Sequence, residues 1–109
     1  MEPRIARIWR GRTPLAKADA YARYLYENGV KPLEDQAVGV QMFREDRENW
    51  SEFVTISYWE TLQDMSRFAG PDPRRIRHLE RDPEFLIELP DTVQIVSVLA
   101  TAARDADYH

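Results

Sequence analysis

The stretch that decides the fold is residues 50–70, WSEFVTISYWETLQDMSRFAG. Its first ten residues, Trp50 to Trp59, are rich in aromatic and β-branched side chains and read as a strand. Thr61 then stands where a helix N-cap is needed, and Asp64 takes the third helical position of a capping-box-like arrangement. The helix is expected through Ala69, with Leu62, Met65, Phe68 and Ala69 on its apolar face and Gly70 as its stop. A strand running straight into a capped helix fixes the middle of the topology.

The flanks build outward from this centre. Glu45 to Asn49 is charged and turn-prone, so it reads as a hairpin tip, preceded by a strand over Ala37 to Arg44. Before that, Thr13-Pro14 signals a helix start, Thr13 as the cap and Pro14 in the first turn. That helix is expected to run to about Asn28, with Gly29 as a left-handed C-terminal residue and Leu15, Ala18, Ala22 and Leu25 as its apolar stripe, flanked by Tyr21 and Tyr24. Val30 to Asp35 is a connection, and Ile5 to Arg10 a first strand. Downstream, Arg74 to Leu79 suggests a helical turn, and Asp82-Pro83 a cap and first-turn proline for a short helix through Phe85 and Leu86. Thr92 to Leu99 is a β-branched final strand, and residues 100–109 a polar tail expected to be flexible. The order is βαββαβ, which defines an α+β, ferredoxin-like domain over residues 4–99 with a four-stranded antiparallel sheet.

The strands carry apolar residues at both parities. Ile5 and Trp9 alternate with Ala6 and Ile8, Phe53 and Trp59 with Val54, Ile56 and Tyr58, and Val93, Ile95 and Leu99 with Val96 and Val98. Two helices cover one face only, so the other face is expected to meet a second copy of the chain, sheet against sheet, in a two-fold homodimer.

At 109 residues the chain holds one domain, and 43% hydrophobic with 31% charged residues argues against whole-length disorder. No run is apolar enough to span a bilayer, and the opening Met1-Glu2-Pro3-Arg4 leads into a mixed segment, so the expectation is a cytoplasmic protein without membrane partners. The absence of cysteine excludes disulfides, thiolate metal sites and a cysteine nucleophile, and two histidines are too few for a multi-histidine zinc site, so no metal is expected. A net charge of −4 argues against nucleic acid as a partner.

Residues 53–70 resemble the antibiotic-biosynthesis monooxygenase group of dimeric α+β barrels, in which a third strand ends in Trp followed by an acidic residue or a small polar cap and the next helix carries an aromatic near its end. Here those positions are Trp59-Glu60-Thr61 and Phe68, and the resemblance extends over roughly residues 4 to 99. It implies a cleft between helices and sheet for a flat aromatic or polyketide-like molecule, and a cofactor-independent monooxygenase in which the substrate anion itself reduces oxygen. A haem-degrading branch uses an Asn on the first strand, a Trp late in the second helix and a His about ten residues on. Phe68 and His78 hold the last two positions, whereas Ile5 to Arg10 contains no Asn, so haem is the less favoured implication.

His78 is the internal residue whose unperturbed pKa lies near neutrality, hence the natural general base, or else one more solvated polar residue. Arg7, in mid-strand between Ile5 and Trp9, either stabilises an anionic intermediate or pairs across the dimer. Trp9, Tyr24, Tyr58, Trp59 and Phe68 are candidate walls for a planar substrate, with plain core packing as the competing reading. Arg74, Arg75 and Arg77 either hold an anion or are neutralised by Asp72, Glu80, Asp82 and Glu84. Trp50 fits an interface better than a site. The alternatives to an oxygenase are a non-catalytic barrel that binds haem or a hydrophobic metabolite, and a stress-associated structural dimer.

Overall fold

A computed structural model describes residues 2–102; part of the expected flexible tail, 103–109, lies outside the described residues. The chain forms β1 (Ile5–Pro14), α1 (Leu15–Leu25), β2 (Gly39–Asp46), β3 (Trp50–Trp59), α2 (Leu62–Ala69), α3 (Asp82–Phe85) and β4 (Gln94–Ser97). The four strands make one antiparallel sheet in the order β2-β3-β1-β4, the ferredoxin-like arrangement. No helix among the described residues is long and apolar enough to cross a membrane.

The decisive stretch folds as its chemistry dictates. β3 spans Trp50–Trp59, the Thr61 hydroxyl accepts from the Asp64 N–H at 3.0 Å, and α2 stops at Gly70, whose φ of 96° is a left-handed value that favours glycine. α1 starts differently from the expectation. β1 runs past Arg10 to Pro14 because β3 offers a continuous ladder, pairing Thr13 with Ser51 and Pro14 with Trp50. Thr13 is therefore a strand residue whose buried hydroxyl has no hydrogen-bond partner among the described residues, and Pro14 stands at the N-cap.

The far end of α1 also departs from expectation. Gly29 has no positive φ, and the chain winds on through a π-helical turn over Tyr26–Val30 and a 3₁₀ turn over Lys31–Leu33. Leu15 and Leu62 are exposed, so neither belongs to its helix's buried face. Tyr21, fully buried, sits at the centre instead, edge-on to Phe53 with ring centroids 5.2 Å apart. Around it pack Trp9, Ala18, Leu25, Phe85, Leu86 and Val93, and a smaller cluster gathers Leu33, Trp59 and Met65.

Four further details depart from expectation. Glu45 and Asp46 pair with Glu52 and Ser51, which narrows the hairpin tip to residues 47–49. Arg74 to Leu79 is not a helical turn: Arg75 bridges Thr92, and the segment runs irregularly to α3 because backbone pairing to the approach of β4 takes its hydrogen bonds. Asp82 is the first residue of α3 rather than its cap. β4 is shorter than expected, four residues from Gln94 to Ser97.

The face away from the helices keeps its apolar character. In register, Ile8 lies opposite Ile56, Ala6 is flanked by Tyr58 and Val96, and Phe43 lies opposite Val54. Phe43 is 45% exposed, and Ile8, Val54, Ile56, Tyr58 and Val96 are partly so.

Candidate functional site

Between α1 with its π turn, the sheet, the end of α2 and the segment before α3 lies a cavity of about 370 Å³. The sheet builds its floor. Arg7 and Trp9 of β1 pair in register with Ser57 and Thr55 of β3, and all four line the cavity from the helix-facing side. Gly11 makes room for the Trp9 indole: a Cβ there would fall 2.4 Å from Trp9 Cη2, so the ring lies back over a bare backbone.

Arg7 is held by its Nε donating to the Pro73 carbonyl at 2.9 Å. It has no carboxylate partner among the described residues, and burial alone pulls its pKa down, although a guanidinium stays charged at neutral pH. The cavity thus contains an uncompensated cation. His78 is exposed and lines the same cavity with Arg77. Of the two alternatives for the arginine cluster, neutralisation by acidic neighbours is not what forms: among the described residues Glu84 pairs with Arg81 at 3.0 Å, and Arg74, Arg75 and Arg77 are in no ion pair.

The candidate aromatic residues separate. Trp9 and Phe68 line the cavity. Trp59 lies outside it and stacks against Phe68 with centroids 5.9 Å apart, while its Nε1 donates to the Ser57 hydroxyl at 2.9 Å. Tyr24 is not in the wall; it stacks on Phe85 at 5.5 Å, and its hydroxyl accepts from the Arg81 N–H at 2.8 Å. Tyr58 is on the opposite face of the sheet, where its hydroxyl donates to Gln41 Oε1 at 2.7 Å; strand alternation puts an even-numbered β3 residue there, so it cannot contribute to the helix-side cleft.

Asp82 was missed as a site residue. It is 2% exposed yet borders the cavity, and burial pushes its carboxyl above the usual range, opposed by hydrogen bonds from the Leu79 N–H and the Tyr21 hydroxyl and by the field of His78. Burial, reinforced by the negative charge and hydrogen bond of Asp82, pushes the Tyr21 phenol up as well. The available signal was Tyr21 itself, since a tyrosine central to an apolar helix face needs a buried partner for its hydroxyl. Thr55 and Ser57 were legible too: small hydroxyls interrupt the inward parity between Phe53 and Trp59.

This fold and helix-side cleft define a ferredoxin-like α+β protein with a partly polar cavity bordered by aromatic rings. Its sequence matches no known family model and no curated protein. Its fold is similar to that of a Bacillus cereus protein provisionally named an antibiotic biosynthesis monooxygenase, at TM-score 0.66 and 10% identity over 94% of this chain and 100% of that one. A Nitrosomonas europaea protein of unknown function is comparably similar, at TM-score 0.64 and 15% identity over 94% and 96% of the two chains.

Proposed function

We propose that the chain is a cytoplasmic, cofactor-independent monooxygenase of the antibiotic-biosynthesis type, acting on a flat aromatic molecule in the cleft. The observation that carries this reading is Arg7, a partly buried cation without a carboxylate partner among the described residues, beside the Trp9 and Phe68 rings in one cavity. Such a cation stabilises negative charge that develops on a bound substrate. The similarity to the Bacillus cereus fold supports the same class.

The chemistry needs no added reductant. His78 removes a proton from a ring methylene conjugated to a ketone across the ring, as in an anthrone, and Arg7 stabilises the resulting enolate oxygen. The methylene becomes a carbonyl by reaction with O₂, losing two hydrogens; one oxygen atom enters the product and the other leaves as water. All four electrons come from the substrate carbon. Oxygen-electrode measurements with a panel of anthrones and quinols are expected to show uptake, and His78→Ala to slow it by about 10²-fold or more. Unchanged turnover in that variant would remove His78 as the base, and no uptake across the panel would remove the oxygenase reading.

The working unit in this reading is a homodimer closed over the apolar sheet face around Ile8, Val54 and Ile56, a surface better buried than bare. Light scattering should give twice the mass of one chain, and Ile56→Asp should shift the protein to monomer. A wild-type monomer at micromolar concentration would overturn it.

A further inference from the structure

The cavity holds two opposite charges that do not meet. Arg7 stands on β1, its guanidinium tied to the carbonyl of Pro73, and Asp82 opens α3; both line the cavity, and neither is in an ion pair among the described residues. Asp82 is fixed on both oxygens. Oδ1 accepts from the Tyr21 hydroxyl at 3.0 Å, and Oδ2 accepts from the Leu79 N–H at 3.0 Å. A carboxylate has about four lone-pair sites, so these two bonds orient it and leave acceptor capacity. Tyr21 is fully buried among Trp9, Phe53 and Phe85, which holds its hydroxyl in place as the donor.

A buried charge without a counter-charge is costly unless something completes its hydrogen bonds. Arg7 calls for an anionic oxygen and Asp82 for a hydrogen-bond donor, and the surface shared with them includes the indole of Trp9, the ring of Phe68 and the side chain of Leu25. We propose that the cleft selects a flat aromatic anion bearing a hydroxyl, with the anionic oxygen against Arg7 and the hydroxyl donated to Asp82, and that Tyr21 is the positioning residue for that carboxylate. This deepens the reading of the cleft as a substrate site and rests on it; it adds the polarity of the substrate and a binding role for Asp82.

The test is calorimetric titration of the full chain with 6-hydroxy-2-naphthoate, 2-naphthoate and 2-naphthol. The first is expected to bind at least about tenfold more tightly than either of the others, the effect of one hydrogen bond to a charged group. Asp82→Asn should erase the preference for the hydroxyl and keep that for the carboxylate, and Arg7→Met should do the reverse. Tyr21→Phe should shrink the hydroxyl preference alone, whereas a purely structural role would weaken all three ligands alike. Wild-type affinities within twofold of one another, no binding of any of the three, or an equal loss of all three in Asp82→Asn would overturn the proposal. The wild-type comparison decides the matter even if the Asn variant fails to fold. Oxygen uptake on anthrones without this selectivity would leave the oxygenase reading standing and remove this one; selectivity without uptake would do the opposite.

Discussion

Phe53→Ala is expected to lower the free energy of unfolding by about 3–5 kcal/mol, the usual cost of truncating a buried aromatic. Phe53 is fully buried at the middle of β3, and its ring meets the edge of Tyr21 from below the helix. On its outer side the Arg44 guanidinium lies 5.8 Å from the ring centroid. Truncation would empty the space under Tyr21, and the antiparallel ladder on both sides of β3 keeps the backbone from collapsing into it. Domains of this size are stable by only about 5–15 kcal/mol, so a large share of the total is at stake. Urea denaturation followed by circular dichroism measures it, and a change below about 1 kcal/mol would show that this core relaxes far more readily than the packing suggests.

Gly11→Ala should have the next largest effect, about 1–3 kcal/mol, from overpacking a filled core. The added methyl would fall 2.4 Å from Trp9 Cη2, 2.7 Å from Trp9 Cζ2 and 3.2 Å from Leu86 Cδ2. An indole is rigid, so the whole ring has to leave its place over the strand. Because that ring also lines the cleft, the same substitution should change ligand affinity as well as the urea midpoint. Tryptophan fluorescence and naphthoate titration, run on one preparation, track the two effects together. A variant as stable as the parent with unchanged binding would mean that the indole does not need the bare backbone.

The parts of this fold that were legible in the sequence are those whose signals are local. Trp50 to Gly70 declares a strand, a cap, a helix and a stop, each by the chemistry of adjacent residues, and the chain folds accordingly. Thr13-Pro14 carries an equally good local signal and was overruled, because ten paired positions with β3 outweigh one cap. Gly29 failed in the same way: the helix could turn on through wider geometry, so no left-handed residue was required. The site was half legible. Arg7, Trp9, Phe68 and His78 converge on one cavity: strand parity puts the first two on one face, whereas the positions of Phe68 and His78 came from the family resemblance, across a segment whose expected helical turn does not form. Tyr58 was lost by parity, and Asp82 was hidden because its partner Tyr21 is sixty-one residues away in the chain.

The π turn over Tyr26–Val30 gives the molecule a place where its length can change cheaply. A wider turn contains one residue more than α-helical winding would need. Deleting one residue there would let the helix rewind as an ordinary spiral, with the downstream chain kept close to its present direction. Asn28 and Gly29, which form the rim of the cleft, would be replaced by their neighbours, while Ala18 and Tyr21 would remain anchored upstream. The lining of the cleft at this turn can therefore change by a single codon while the core beneath it stays in place.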